Sequence, residues 1–212
     1  MTTDGPEPPV PESMLDEAGF ALAERRTETL FELAAVRIEG VTRRYEDDHS
    51  REALRDATSG AIDHPVRFFA VTQLQFKPAL PPGVSLSMFA STIRSEARSS
   101  FASQLEDRGL TNVERGSSNR RRLDGASRVR VREFTAEDPL ADADGRSLAL
   151  DFRLAVLTHR GTALVVTAGF PAATLADQFD LSNPPGPLTR TAEEYDSAFT
   201  DLLDGIYAEL TG

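Results

Sequence analysis

The sequence contains no cysteine and no tryptophan, and Lys77 is its only lysine. The absence of cysteine excludes disulfide bonds, thiolate nucleophiles, cysteine-ligated zinc and iron–sulfur clusters. No run approaches the roughly 20 apolar residues that a membrane-spanning helix needs. The first residues, MTTDGPEPPVPESML, lack the basic and apolar regions of a signal peptide. We therefore predict a cytoplasmic protein without membrane contact.

The chain is strongly acidic, and almost all of its positive charge comes from arginine. There are 34 acidic residues against 23 basic ones, which gives a formal net charge of -11. An acidic, arginine-biased and lysine-poor composition is typical of haloarchaeal proteins, whose acidic proteome works in molar salt, where repulsion between surface carboxylates is screened. A GC-rich genome would also favour arginine over lysine, but it does not by itself produce a pI near 4.8. We favour a salt-adapted source.

Composition divides the chain into a tail and one domain. Residues 1–12 are rich in proline and acid and offer little to bury, so we predict a disordered N-terminal tail. Residues 13–212 are predicted to form a single domain. Within it, Ser13 to Tyr45 fits either a helix or a hairpin with strands Phe20 to Thr27 and Leu30 to Thr42. The β-branched stretch VRIEGVT favours the hairpin.

The remaining elements follow from hydrophobic periodicity. The segment HSREALRDA predicts a short helix capped by Asp48 or Ser50. Apolar residues recur every three or four positions from Leu86 to Arg108, which predicts a long amphipathic helix. The other predicted elements are a strand in VRFFAVTQLQF, a hairpin turning at Asp124-Gly125, a second hairpin turning at Arg160-Gly161, and a closing helix with a Thr191–Glu194 capping box. This order indicates an α+β fold, an antiparallel β-sheet flanked by amphipathic helices.

From about Phe68 to Leu210 the order of elements resembles the Mog1/PsbP-like fold, an α+β sandwich. The opening LDEAGF and the hairpin LTHRGTALVVTAGFP are also similar to uncharacterised haloarchaeal domain families. The resemblance implies a binding or assembly protein without chemistry of its own, because one kind of member binds a small GTPase and another supports a photosystem. None of their partner-binding residues is matched, so none is carried over.

The sequence lacks the common catalytic motifs: it has no phosphate-binding glycine loop, no G-x-S-x-G and no H-E-x-x-H. His159 and Asp151 share a predicted strand, but eight residues of extended chain separate them by about 26 Å. His49 stands among carboxylates in YEDDHSRE, which is more simply a solvated helix start than a metal site. His64 precedes a proline and is predicted to lie in a loop.

The acidic stretch ADADGRSLALD resembles the middle of a calcium loop at Asp142-x-Asp144-Gly145. Its first ligand position would be Leu140 and its twelfth would be Asp151 instead of glutamate, so an acidic connection between strands is favoured. We predict no metal, no cofactor and no enzymatic activity.

The most unusual stretch is NRRRLDGASRVRVREF, which places six arginines in an acidic chain. Strand alternation puts Arg128, Arg130 and Arg132 on one face and Val129 and Val131 on the other, and we expect the valines to face the core and the arginines to face outward. Three uses of the arginine face remain open. The favoured one is pairing across strands with acids, and the candidate partners are Glu114, Glu133, Glu137 and Asp151. The others are contact with a protein or small anion, and contact with nucleic acid, for which no interleaved aromatic is present to stack on bases.

We therefore predict a non-enzymatic binding or assembly domain whose partner is unknown. A protein partner is favoured over nucleic acid, and the oligomeric state is left open. The candidate partner-binding residues are Arg120, Arg122, Arg128, Arg130 and Arg132. Two alternatives are a small-ligand or lipid-like carrier with a pocket between the sheet and the long helix, and a weak nucleic-acid binder that uses the arginine strand.

Overall fold

The computed structural model describes residues 6–33, 36–80, 84–123, 128–140 and 146–212. Its strands are β1 (Phe20–Leu33), β2 (Val36–Asp47), β3 (Phe68–Lys77), β4 (Thr111–Arg122), β5 (Arg128–Pro139), β6 (Ser147–His159) and β7 (Thr162–Pro171). Its helices are α1 (Glu12–Glu17), α2 (Asp48–Ala57), α3 (Ala90–Asp107), α4 (Leu175–Gln178) and α5 (Ala192–Thr211). Single 3₁₀ turns cover Leu86–Met88 and Gly186–Thr189.

The seven strands form one antiparallel sheet in the order β1-β2-β3-β7-β6-β5-β4. After β3 the chain crosses the sheet through α3 and begins again at the far edge with β4. The strands β4 to β7 then run back as a meander until β7 pairs with β3. The predicted fold class, an antiparallel sheet with helices against it, is confirmed.

Each face of the sheet has its own layer of helices. On one face, α5 and α1 cover residues that include Val129, Val131 and Phe170, and Tyr195 of α5 stacks on Phe170 with ring centroids 5.5 Å apart. On the other face, Phe101 of α3 meets the edges of two sheet phenylalanines at 5.3 and 6.1 Å. The central strands are therefore apolar on both sides, while β4 at the sheet edge is largely exposed.

The first hairpin is longer than predicted. Strand β1 continues through Thr29 and Phe31 to Leu33, so the predicted break between Thr27 and Leu30 is wrong. The extension is stabilised by packing, because Leu30 lies over Gly40 of β2, where a Cβ atom would come within 2.8 Å of the leucine. The glycine at this position leaves room for the leucine side chain. Strand propensities of single residues do not include such a contact between strands.

Residues 6–12 are packed against the sheet, in contrast to the disordered tail that we predicted for 1–12. Val10 is buried, and Glu12 accepts a hydrogen bond from Arg43 at 2.5 Å. Glu7 forms a further ion pair with Arg25 at 3.3 Å. Two acidic residues that favoured disorder in the sequence are thus held by strand arginines.

Several helix and turn details can be compared with the predictions. Helix α2 is capped by Asp47 and not by Asp48 or Ser50, and α3 begins at Ala90 after a 3₁₀ turn that starts at Leu86. The Arg160-Gly161 turn is confirmed, with φ values of 43° and 85° that suit a tight hairpin. The Asp124-Gly125 turn and the Asp142–Gly145 stretch lie outside the described residues.

A buried ion pair between Arg67 and Asp47 links the end of β2 and the start of α2 to the start of β3. Arg67, immediately before β3, donates to the carboxylate of Asp47 at 2.9 Å, and both side chains are almost fully buried. The guanidinium also lies over the rings of Phe20 and Tyr195, at 4.3 and 5.0 Å. The same carboxylate accepts from the backbone and hydroxyl of Ser50. Burial lowers the pKa of Arg67, and the charge of Asp47 opposes that shift.

Replacing Asp47 with alanine leaves the Arg67 charge buried without its partner and removes the cap of α2. We expect Asp47→Ala to lower the free energy of unfolding by about 3–5 kcal/mol. Asp63→Ala is the matched control, because it breaks the Arg51–Asp63 pair of 2.7 Å, which is exposed and is expected to cost about 1 kcal/mol or less. Urea unfolding of both variants measures the difference, and similar losses would contradict the role assigned to Asp47.

The capping box predicted at the start of α5 is confirmed: the Thr191 hydroxyl accepts from the Glu194 backbone and the Glu194 carboxylate accepts from the Thr191 backbone. The backbone hydrogen bond from Thr191 lowers the pKa of Glu194 below its ordinary value of 4.5. A lowered pKa means that the folded state favours the ionised form. This stabilisation is complete above the unfolded-state pKa and is lost as the pH falls through the folded-state pKa.

We expect Glu194→Gln to be less stable than the native chain near neutral pH and to lose this deficit as the solution is acidified. Glu193→Gln is the control, since Glu193 lies in the same first turn but makes no capping hydrogen bond. Urea midpoints measured between about pH 7 and about pH 3 give both profiles. A deficit that stays constant over this range would refute the contribution of the ionised cap.

Candidate functional site

The predicted arginines gather on the face of the sheet that carries α3. Strands β4 and β5 place Arg120 directly opposite Arg130, and Arg122 directly opposite Arg128. Arg132 lies opposite Ser118. The valines of β5 face α5 as expected. Arg120, Arg122, Arg128 and Arg130 are exposed, and Arg132 is half-buried. Arg130 and Arg132 stand beside α3.

Helix α3 adds two arginines that the sequence analysis did not include. Arg94 and Arg98 are spaced by one helical turn, and the Nε of Arg98 donates to the carbonyl of Arg94 at 2.9 Å. Both side chains line a cavity together with Arg130 and Arg132 of β5. The i, i+4 spacing was visible in the sequence, but only the packing of α3 on the sheet shows that it continues the arginine face.

The larger of two cavities at this place, which we call the arginine groove, has a volume of about 450 Å³. Four arginines line it, and no carboxylate does among the described lining residues. Those residues are Arg94, Arg120, Leu123, Arg128, Val129, Arg130, Val156, Leu157, Thr158 and Tyr207. The groove runs along the ends of β4, β5 and β6 and reaches from the α3 side of the sheet to α5. Arg122 does not line it.

A smaller cavity of about 40 Å³, which we call the inner pocket, lies beside the groove and shares Arg94, Arg130 and Val156 with it. Its remaining lining residues are Arg98, Ser118, Arg132 and Leu154. The Nη1 of Arg132 donates to the carbonyl of Gly116 at 2.9 Å, which fixes the guanidinium. The Nε of Arg132 and the Oγ of Ser118 are buried and have no hydrogen-bond partner among the described residues.

The carboxylates that we favoured as partners of Arg128, Arg130 and Arg132 are occupied elsewhere or stand apart. Glu133 accepts hydrogen bonds from Ser117 and Asn119, at 2.6 and 2.7 Å. Asp151 pairs with Arg153 at 3.5 Å. In the described part of the chain, no ion pair joins the three β5 arginines to Glu114, Glu137 or any other carboxylate. The interpretation of internal pairing is therefore wrong for the residues that the structure describes.

The arginines on the opposite face of the same strands behave differently. Asp196 of α5 accepts from Arg121 of β4 and, at 2.7 Å, from the Nε of Arg153 of β6. Arg153 also lies over the ring of Phe170 at 5.1 Å. Burial raises the pKa of Asp151, and the neighbouring Arg153 opposes the shift. These arginines hold α5 on the sheet and have a structural role.

The histidines do not assemble a reactive site. His49 is exposed on α2, and His64 approaches Asp138 at 3.5 Å in a partly exposed pair. His159 is half-buried and meets the ring of Tyr207 edge to face at 6.2 Å. Over the described ranges, no group of three or more His, Asp or Glu side chains could hold a metal ion.

The space between the sheet and α3 was the site predicted for a carrier function. The described residues leave a cleft there with a volume of about 90 Å³, lined by side chains that include Leu74, Ile93 and Phe101. Ligand pockets for drug-sized molecules usually have about 300 Å³ or more. The cleft is too small for the lipid-like ligand that this alternative requires.

In the described part of the chain, no helix is long and apolar enough to cross a membrane.

Comparison with known proteins gives a family without an assigned activity. The profile of the family described as "Domain of unknown function (DUF6517)" matches residues 7–207, so the chain belongs to this family. No curated protein matches the sequence at a significant level.

Solved structures with a similar fold include two of Mog1. One is a point mutant of protein Mog1, with 12% identity, coverage of 88% of this chain and 95% of that chain, and a TM-score of 0.37. The other is the Saccharomyces cerevisiae Ran-binding protein Mog1p, with 11% identity, coverage of 90% of this chain and 94% of that chain, and a TM-score of 0.34.

The opposed arginines of β4 and β5 lead to a prediction about stability. Like charges directly opposite in an antiparallel pair are destabilising, so we expect Arg120→Ser to raise the free energy of unfolding by about 0.2–1 kcal/mol at about 0.1 M salt. The gain should fade at about 1 M salt because screening weakens the repulsion. Arg115→Ser is the control, since Arg115 is exposed on the same strand and faces Phe134. Urea unfolding at both salt concentrations tests this, and a loss of stability equal to that of the control would contradict it.

Proposed function

We propose that this member of the DUF6517 family is a binding domain that docks an acidic segment of a protein partner in the arginine groove. The observation that carries the proposal is that Arg94, Arg120, Arg128 and Arg130 line one groove without a described carboxylate among them. The proposal retains our predictions of no enzymatic activity, no cofactor and a cytoplasmic location.

The lack of a carboxylate beside these four arginines is notable because the rest of the chain is rich in acidic residues. With 34 acidic residues available, the chain neutralises other arginines, among them Arg43, Arg67 and Arg153. The groove arginines of β4 and β5 repel one another across the two strands. In the described part of the chain, no ion pair with a carboxylate offsets this repulsion. Interactions that weaken a fold without local compensation are expected at functional sites. An acidic ligand would supply the missing counter-charge.

The chemistry of the groove favours carboxylates on a peptide over nucleic acid. A guanidinium can form two parallel hydrogen bonds with a carboxylate, which adds geometric specificity to the charge. Tyr207 is the one aromatic side chain among the described lining residues, whereas binding of single-stranded nucleic acid depends on aromatic platforms that stack on successive bases.

A fluorescein-labelled peptide of ten glutamates is a suitable probe, and fluorescence anisotropy measures its binding to the full chain. We expect saturable binding at about 0.1 M salt that is weakened about tenfold or more by Arg120→Gln combined with Arg128→Gln, because each lost charge-assisted contact is worth at least about one such factor. Arg115→Gln is the matched control and should bind like the native chain.

A ten-nucleotide oligothymidylate carrying the same label is measured in parallel. Tighter binding of the oligonucleotide than of the peptide, with the same dependence on Arg120 and Arg128, would replace the protein partner with nucleic acid. Equal binding of the peptide to the native chain and to the double variant would remove the arginine groove from the function.

A further inference from the structure

The inner pocket differs from the groove in size, depth and lining. Arg98, Ser118 and Arg132 line the inner pocket and not the groove, whereas Arg120 and Arg128 line the groove and not the inner pocket. We propose that the inner pocket is a binding site for a single tetrahedral oxyanion, and that its ligand is a phosphate group.

Polar side chains from three separate elements line the inner pocket. Arg94 and Arg98 belong to α3, Arg130 and Arg132 to β5, and Ser118 to β4. Two strands and a helix thus bring positive charge to one small volume. A planar carboxylate can be satisfied by one or two guanidinium groups, while donors on several sides suit an anion whose oxygens point in several directions.

Two polar atoms beside the inner pocket lack a partner. The Nε of Arg132 and the Oγ of Ser118 are buried and have no hydrogen-bond partner among the described residues. The Nη1 of Arg132 is held by the carbonyl of Gly116 at 2.9 Å. Buried polar groups are rarely left without a partner, and a small shift of either side chain would let an oxyanion in the inner pocket accept a hydrogen bond from it.

The size of the inner pocket suits one small anion. Its volume of about 40 Å³ corresponds to the room of about three waters. A phosphate group fits if one of its oxygens points back toward the groove. A phosphate carries a charge of about −1.5 to −2 at neutral pH, which is more than one carboxylate offers against four arginines. Leu154 and Val156 complete the wall with apolar side chains, which strengthens charge–charge attraction.

The phosphate group can reach the inner pocket in two ways. It can enter as free inorganic phosphate, or it can be attached to a serine or threonine of the segment docked in the groove, because Arg94 and Arg130 border both cavities. In the second case the inference rests on the proposed function and specifies a phosphorylated acidic segment. In the first case it stands without it.

The test uses the full chain labelled with ¹⁵N, in which the Nε–Hε resonances of the arginines report on their environment. Titration with inorganic phosphate in a chloride-poor buffer at about 0.1 M ionic strength is expected to shift the Arg132 resonance to saturation. Arg132→Gln and, separately, Arg98→Gln should weaken phosphate binding about tenfold or more. Arg115→Gln should leave it within about twofold, since its side chain does not line the inner pocket.

A second titration distinguishes the sources of phosphate. The deca-glutamate peptide is compared with a peptide of the same length that carries one central phosphoserine, and with the same sequence bearing unmodified serine. Tighter binding of the phosphopeptide than of both others, lost in Arg98→Gln, supports the attached phosphate. Saturable binding of inorganic phosphate without this preference supports free phosphate.

Different results would overturn the two proposals. A linear response to phosphate, or losses in Arg115→Gln as large as in Arg98→Gln and Arg132→Gln, would refute the oxyanion site. That outcome leaves the proposed docking intact if the deca-glutamate peptide still requires Arg120 and Arg128. Conversely, a phosphate site that depends on Arg98 while the peptide fails to bind would refute the docking alone. Thermal unfolding of each variant ensures that a lost site is not a lost fold.

Discussion

The buried ion pair between Arg67 and Asp47 is the interaction on which the arrangement of the elements depends. A charge removed from water is tolerated only when its partner and its hydrogen bonds are in place, and here both requirements tie distant parts of the chain together. Asp47 ends β2 and caps α2 through Ser50, while Arg67 immediately precedes β3 and lies over a ring from α5. The pair fixes where β2 stops, where α2 starts and how α5 sits on the sheet.

The arginines of this protein thus fall into two groups with opposite physical character. Arg43, Arg67 and Arg153 are buried, paired with carboxylates and placed over aromatic rings. The arginines that line the arginine groove and the inner pocket face one another without carboxylates among the described residues. The first group stabilises the native state, and the second raises its energy until a counter-charge arrives. In an acidic protein, a concentration of positive charge also creates a local attractive field for anionic ligands.

Periodicity in the sequence predicted most of the elements, because a strand or an amphipathic helix buried on one side must repeat its apolar residues at a fixed spacing. Leu148 to Val156 and the helix stripe through Ile93 and Phe101 followed this rule. Boundaries were less predictable: β1 extends because Leu30 fills the space above Gly40, which is a contact between strands. The packing of residues 6–12 likewise depends on strand arginines that lie far along the chain.

The sequence predicted the part of the candidate site that lies on β5 but not the part that lies on α3. Alternation placed Arg128, Arg130 and Arg132 on one face, since it depends only on the geometry of one strand. The contribution of Arg94 and Arg98 could not be seen, because it depends on which end of α3 lies next to β5. The sequence also could not show that the β5 arginines lack carboxylate partners. Glu133 and Asp151 lie near these arginines in the sequence or in the strand register, but their side chains point to the other face of the sheet.

The position of β7 between β3 and β6 has a consequence for the order in which the chain assembles. All other neighbouring strands follow one another along the chain. The pairing of β3 with β7, which we call the seam, instead joins Phe68 to Gly169 and Leu74 to Ala163. Closing so long a loop costs more chain entropy than any hairpin in the sheet, so the seam is expected to form late. The groove and inner-pocket arginines all come from α3, β4 and β5, which follow one another along the chain. The part of the structure that carries the arginine groove and the inner pocket can thus take shape as a local unit, and the seam then joins it to the hairpin that bears the N-terminal segment.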